Sequence, residues 1–505
     1  MTSSTPCVSA STRRCASETE GDYYAVNGRE MKAVTRSTTT CMPVQDVRRS
    51  RMEPADALVH KKLHPQTPYK PAAWSKALQQ ADLAECFDAI PTGLRFGFAV
   101  GYPTISCVQN PPNSTSISLY SHKFDEIAHK EITKGRYFSP LPFADIENIL
   151  GPFQTSPLSL IPKLGYLDKF RLIQNFSFPP FPLAQFSNTS INQGITLDLI
   201  PCTWGKFSTV YLLISQLPPG SQVATRDVAE AYRTIPLHPS QWPVAVIHTS
   251  DLHACIDTCA AFGASPSCGV YGQMADVGAE ILRANGIGPL DKWVDNHIFF
   301  RIPRAQLQSY NQARQVWCND IKQNGLQHIG LRIWYSGISH DGNALEEFSE
   351  NCAFPIQDLS ASSEHIGEES NFTYSIMDID HISHELGIPW ESSKDQPFAP
   401  TTIYIGFLWD LEARTLRLSP AKVEKYTGVI NDWLARPKHT LKNVQELYGR
   451  LLHSASILVT IHLLSHGIFL LSFLRRTHLL FGMYSYDWIH CLILLSSLNS
   501  SFIKL

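Results

Sequence analysis

This 505-residue chain lacks several common signatures, and each absence narrows what it can be. No glycine-rich stretch fits a P-loop or a dinucleotide-binding turn, so the usual nucleotide-cradling folds are not indicated. Paired CxxC motifs are missing too. Cys255 and Cys259, with Cys268 beyond them, have neither that spacing nor a neighbouring histidine pair, which speaks against a zinc site. The twelve cysteines are scattered from Cys7 to Cys491 without forming a dense framework, so a reducing compartment, cytoplasmic or nuclear, is expected. In that setting sequons such as the one at Asn113 are incidental. The first sixty residues contain no apolar h-region, so no secretory signal is read there. Charge of one sign is lacking as well. A formal net charge of -3 gives no global pull toward nucleic acid, and any basic binding surface has to be local.

A hydrophobic content of 44% with 10% aromatic residues is enough to bury a large core, in two or more folded units. Residues 1–60 are rich in Ser, Thr and Arg and read as a disordered arm, followed by an N-terminal extension over 61–154. From Asp341 to Asp395 the chain carries thirteen acidic residues and one basic residue, Lys394, the composition of a solvated acidic insertion. Within it, HISHE (His381, His384, Glu385) does not match a metalloprotease helix and predicts a capped surface helix. The run Ala455–Leu474 is long enough to cross a bilayer. His462, His466 and its interior hydroxyl residues favour a buried helix pair instead, so no membrane partner is expected. The final stretch is apolar without a helical or strand period, and 459–505 is set apart as an atypical end.

Between these ends strand and helix signals alternate in an α+β manner. Ser159–Phe178 predicts two strands joined at Gly165-Tyr166, with Lys163, Lys169 and Arg171 at or beside the turn. Ser221–Trp242 opens as a strand through Val223 and Thr225, ends at Asp227, and passes through a short helical turn before Pro236. Asp227 thus stands at a strand's C-terminal end, where functional groups collect. Ala261–Gly286 runs from a turn into a helix with Val270, Met274, Val277 and Ile281 on one face. KWVDNHIFFRI predicts a tight hairpin with Asp295 and Asn296 at its tip. Ser419-Pro420 starts a helix through Val423, Tyr426, Ile430 and Trp433; Pro437 closes it and Thr440 starts another.

The order of these pieces is more informative than any one of them. LIPKLGYLDKFRLIQNFS, TRDVAEAYRTIPLHP, FGASPSCGVYG, KWVDNHIFF and IYIGFLWDLEARTLRLSPAKVEKY, in that sequence, resemble the motifs of reverse transcriptases over roughly Thr155 to Leu458. The resemblance is to the enzymes of retrotransposons of fungal type. It implies a right-hand polymerase: fingers and palm over 155–418, an antiparallel palm sheet backed by helices, and thumb or connection helices over 419–458. The implied reaction is transfer of deoxynucleotides to a primer 3′-hydroxyl on an RNA or DNA template, with magnesium, or manganese in its place. No stable protein partner is implied.

Residue by residue, the resemblance makes Asp227 and Asp295 the catalytic carboxylates, with Asn296 beside them and the Val228 carbonyl as a further metal ligand. Hard divalent ions require such oxygen donors. Lys163 and Arg171 match groups that hold the incoming triphosphate, and Tyr232 the aromatic that crowds the sugar's 2′ position. Phe262, Gly263 and Ser267 match the turn against the templating base and primer, and Tyr404, Gly406 and Phe407 the primer-gripping hairpin.

Asn296 departs from the family pattern, which commonly has a second aspartate there. Related elements also continue beyond Leu458 into a ribonuclease H domain, and no acidic cluster for that site follows here. The alternative therefore stands of a catalytically impaired remnant that at most binds nucleic acid. On geometry, Asp227 and Asp295 are expected to share one site on an antiparallel sheet backed by the helix after Gly269, with Glu230 pointing elsewhere.

Overall fold

The computed structural model of the chain describes residues 66–455 and 503–504, apart from breaks at 139, 164–167, 182–188, 197–199, 201–204, 206, 251, 325, 330–332, 339–344, 349–353 and 362–364. The arm over 1–60 and the apolar run after Ala455 lie outside the described residues, and with them the expectations about disorder and a buried helix pair. Among the described residues no helix is long and apolar enough to cross a membrane.

The fold is a mixture of helices and antiparallel sheets. In chain order, the elements that matter for the site begin with α1 (Pro71–Gln80), α2 (Ser121–Thr133), and the hairpin strands β1 (Leu158–Pro162) and β2 (Phe170–Gln174). Next come α3 (Phe207–Gln216), β3 (Gln222–Asp227), α4 (Ser267–Ala284), β4 (Leu290–Trp293) and β5 (Asn296–Arg301). After them lie α5 (Ile376–Leu386), β6 (Gln396–Ala399), and the meander β7 (Thr401–Tyr404), β8 (Phe407–Asp410) and β9 (Thr415–Leu418). Helices α6 (Pro420–Leu434) and α7 (Leu441–Ala455) follow.

The central sheet has the order β6-β3-β5-β4, antiparallel throughout. In β3 the four residues from Val223 to Arg226 are all buried, Val223 within one core cluster, while the Asp227 end is left partly open. Helix α4 backs this sheet. The expected apolar face is there, since Val270, Met274, Val277 and Ile281 are all buried, but one-sided amphipathicity is corrected. Asp276, Glu280 and Arg283 are buried as well, because the helix runs through the interior rather than over it. Such charges need partners at close range. Asp276 lies 2.9 Å from Lys292 of β4, itself fully buried, and Glu280 lies 2.7 Å from Arg283.

The β1–β2 hairpin forms as expected, in the register Leu158↔Gln174 to Pro162↔Phe170, with its turn outside the described residues. Helices α6 and α7 pack on the β7–β9 meander through Tyr426, Ile430, Leu447 and Leu451, around the buried Trp409.

The acidic segment departs from expectation. Its described part is not a solvated insertion: Ile356, Tyr374, Ile379 and Leu386 are buried core residues. Its acids neutralise arginines of the central sheet. Asp380 and Asp395 both bond Arg226 of β3, and Glu369 bonds Arg301 of β5. A guanidinium cannot shed its charge, so burying these arginines requires carboxylates in place. Helix α5 is capped as expected, with Ser375 and Asp378 forming a reciprocal capping box and His381 exposed.

Candidate active site

Asp227 closes β3 and Asn296 opens β5, and the ladder sets these two residues opposite each other. One step further on, the Val228 N–H donates to the Asp295 carbonyl at 3.0 Å. The sheet thus carries both aspartates to one end. Val294 and Asp295 form the two-residue turn between β4 and β5, and Val294 takes φ = +58°. A β-branched residue there is strained, and such strain persists only where surrounding packing enforces it. Val294 is buried in the main core, which supplies that packing.

Burial raises the Asp295 carboxyl above the ordinary carboxylate range, and the nearby charge of Asp227 raises it further. The two acids therefore sense one another. Tyr271 of α4 lies behind them, fully buried; burial lifts its hydroxyl pKa, with Tyr69, Asp295 and Asp227 adding to the effect. Tyr404 at the end of β7 donates its hydroxyl to the Asn296 carbonyl at 3.0 Å, tying the meander to the hairpin tip.

A cation meets Asp227 directly. Lys394 places its Nζ 2.7 Å from Asp227 Oδ1. The hydrogen bond to Asp227 raises its pKa against the opposing effect of burial, and the charge of Asp295 helps. Its base is fixed by the β3 end: Glu391 N–H donates to the Asp227 carbonyl, and Ala229 N–H to the Pro389 carbonyl, each at 2.8 Å. Lys394 was not among the residues singled out from sequence. A lone basic residue at the close of a long acidic run was the available signal.

Glu230 points away, as expected. It adopts φ = +51° and takes Arg136 at 2.7 Å and Lys130 at 3.2 Å, with Lys134 also bonded. Burial works to raise its pKa, but the hydrogen bonds from Lys134 and Arg136 prevail and hold it down at about 2.

The other expected site residues divide into those beside the pair and those on separate elements. Tyr232 stacks obliquely on Phe262, ring centroids 5.0 Å apart, and stands 6.0 Å from Tyr271, the tyrosine whose hydroxyl senses both carboxylates. Phe262 is half-exposed. Gly263 has φ = +100°, and a Cβ there would meet the Gln174 carbonyl of β2 at 2.5 Å, so only glycine allows that approach. Ser267 is buried and donates to the Ala261 carbonyl at 2.8 Å, closing the turn that carries Phe262. Lys163 and Arg171 are exposed on the β1–β2 hairpin, joined to the site through the Gln174–Gly263 contact.

Tyr404 and Phe407 have buried side chains, which leaves the turn between them, Ile405 (φ = +46°) and Gly406 (φ = +87°), as the part able to meet a ligand. That turn is held by His453 of α7. Its Nε2–H donates to the Ile405 carbonyl at 2.8 Å, its Nδ1 lies 3.1 Å from the Tyr426 hydroxyl, and its ring stacks on Phe407 at 4.5 Å. Burial lowers its pKa, keeping the imidazole neutral for this arrangement. His453 too went unnoticed in the sequence, where a histidine near a helix end carries no signal of a partner on another element.

Asp227 and Asp295 offer hard oxygen donors in a partly desolvated place where the charge of Asp227 raises the cost of ionising Asp295, and a divalent cation suits such a donor set. Among the described residues no group of three or more His, Cys, Asp or Glu side chains is arranged to hold a metal, so any ion here depends on this pair and on neutral oxygens.

No family model matches the sequence, and no curated protein matches it. Among solved structures the chain is similar to a foamy viral protease-reverse transcriptase in complex with double-stranded DNA, at 10% identity, with a TM-score of 0.46, covering 79% of this chain and 51% of that one. Another structure of a foamy viral protease-reverse transcriptase, with an RNA/DNA hybrid, matches at 11% identity and a TM-score of 0.42, covering 88% and 46%. A further one with double-stranded DNA matches at 12% identity and 0.43, covering 92% and 73%. The chain thus spans about half the length of the first two. At such identity and overlap the likeness is loose.

Proposed function

We propose that the chain is a template-dependent nucleotidyltransferase of reverse-transcriptase type, extending a primer 3′-hydroxyl with deoxynucleotides. The observation that carries this reading is the meeting of Asp227 and Asp295 at one end of an antiparallel sheet, fixed by the Asp227↔Asn296 register. In this reading β3, β4, β5 and α4 are the palm, the β1–β2 hairpin belongs to the fingers, and α6 with α7 forms the thumb. Asp227, Asp295 and the Val228 carbonyl would hold magnesium or manganese, which supplies neutralisation of the charge that develops on the attacking and leaving oxygens.

The chain's own residues would do the positioning. The aromatic pair Tyr232 and Phe262 offers a surface for the nucleotide's sugar and base, with Tyr232 crowding the 2′ position. Lys163 and Arg171, exposed on the neighbouring hairpin, suit phosphate oxygens, one as a point charge and one as a planar fork. The Ile405-Gly406 turn, braced by His453, would bear on the primer end.

Asn296 supports the second reading, a protein that binds nucleic acid with little or no catalysis, because an amide stands where a further carboxylate would add charge. Primer extension on a homopolymer template with magnesium or manganese separates the two. Extension by the unaltered chain that is lost in Asp227→Asn supports the enzyme. Tight primer-template binding without extension supports the alternative.

A further inference from the structure

We propose that Lys394 is the resident counter-ion of the Asp227–Asp295 pair, which a divalent cation has to displace in order to bind. This deepens the reading above and rests on it.

The ammonium at 2.7 Å from Asp227 Oδ1 takes up one of the carboxylate positions that a metal ion would need at about 2.0 to 2.6 Å. Two features make the contact a built one. The main chain from Pro389 to Asp395 is laced to the end of β3 by the bonds from Glu391 and Ala229, and by the ion pair of Asp395 with Arg226 at 2.8 Å. Trp390 lies under the Arg226 guanidinium at 4.9 Å, which holds the same stretch from its other side. A third feature makes the contact exchangeable. The Lys394 side chain is 60% exposed while that of Asp227 is 14% exposed, so the ammonium approaches from the open side and can withdraw on its four-carbon stem without moving the strand.

Among the described residues Lys292 also acts on Asp295 but is committed to Asp276 at 2.9 Å, and Glu391 adds a further carboxylate beside Lys394 itself. Lys394 is thus the mobile charge that offsets one unit of the pair's negative charge, beside the amide of Asn296. A dication entering this site meets one unit of negative charge fewer than it would without Lys394. Binding of the ion and the Lys394–Asp227 contact are thus coupled, and each weakens the other.

The test is Mn2+ binding to the full chain, counted as free ion by electron paramagnetic resonance, in the unaltered protein and in Lys394→Met, Lys394→Arg and Asp227→Asn. Lys394→Met should bind Mn2+ about tenfold more tightly, a common size for coupling between two ligands. Lys394→Arg, which keeps the charge, should not, and Asp227→Asn should remove the site in every background. Should Lys394→Met fail to fold by circular dichroism, Lys394→Gln makes the same comparison. In metal-free buffer the charge-removing variant should melt below the unaltered protein, and Mn2+ should restore it. Equal Mn2+ affinity with and without the lysine charge, at a site that Asp227→Asn abolishes, would overturn the counter-ion role and leave the metal-site reading intact. Absence in every variant of any Mn2+ site sensitive to Asp227 would overturn both.

Discussion

At the scale of single residues, the hairpin tip is governed by charge within a few ångströms. Restoring an acid through Asn296→Asp adds one negative charge beside the pair without disturbing the ladder, because Asn296 pairs with Asp227 through its main chain. Primer-extension rates should rise about tenfold or more, the equivalent of 1.4 kcal/mol of transition-state stabilisation. An unchanged rate in a folded protein would show that the amide was not what limited catalysis. Glu230 makes a separate prediction about stability. Its carboxyl, normally near 4.5, is held at about 2 by Lys134 and Arg136. The stabilisation it contributes is present above its unfolded pKa and is lost as pH falls from there toward about 2. Glu230→Gln should remove about 1 kcal/mol at neutral pH, a value reduced for solvent screening of the half-exposed lysines. It should also flatten the acid limb of a melting-temperature profile over that window; an unaltered acid limb would mean these ion pairs contribute nothing.

At the scale of elements, the hairpin β4–β5 depends on what lies behind it. Lys292 of β4 and Asp276 of α4 form an ion pair out of contact with water, 2.9 Å apart. Breaking one partner leaves a buried charge uncompensated, which costs about 3–5 kcal/mol, whereas replacing both with apolar groups of similar volume is often close to neutral. Lys292→Met should therefore lower stability in urea by that amount, and the double change Lys292→Met with Asp276→Leu should recover most of it. A double variant as unstable as the single would place the loss in packing instead. The same pair seats the strand that leads into the strained Val294, so the geometry at Asp295 is set in part by a helix more than ten residues earlier in the chain.

At the scale of the whole molecule, a formal net charge of -3 coexists with local basic surface. Some of the negative charge is spent internally, since Asp380, Asp395 and Glu369 are bound to Arg226 and Arg301. Lys163, Lys169 and Arg171 are exposed together on the β1–β2 hairpin. If these three make the contacts, affinity for primer-template should fall about fortyfold between 50 and 200 mM salt, and the triple alanine variant should lose most of that dependence. Salt-independent binding would point to a different surface.

Strand-end Asp227, the tight turn at Asp295, the apolar face of α4 and the proline-led start of α6 were all legible in the sequence, because each is a local matter of period, turn chemistry or capping. The antiparallel register that sets Asp227 against Asn296 needed the folded chain, since 68 residues of intervening sequence leave pairing undetermined. Tertiary structure alone decided that the acidic run would be drawn inward, because arginines carry no partner's name in sequence and accept any carboxylate the fold brings near. For the same reason Lys394 was read only as the lone base of that run and given no site role, and only the lacing of Pro389–Asp395 along β3 brought its ammonium to Asp227. Local propensity follows from neighbours in the chain; charge pairing follows from neighbours in space.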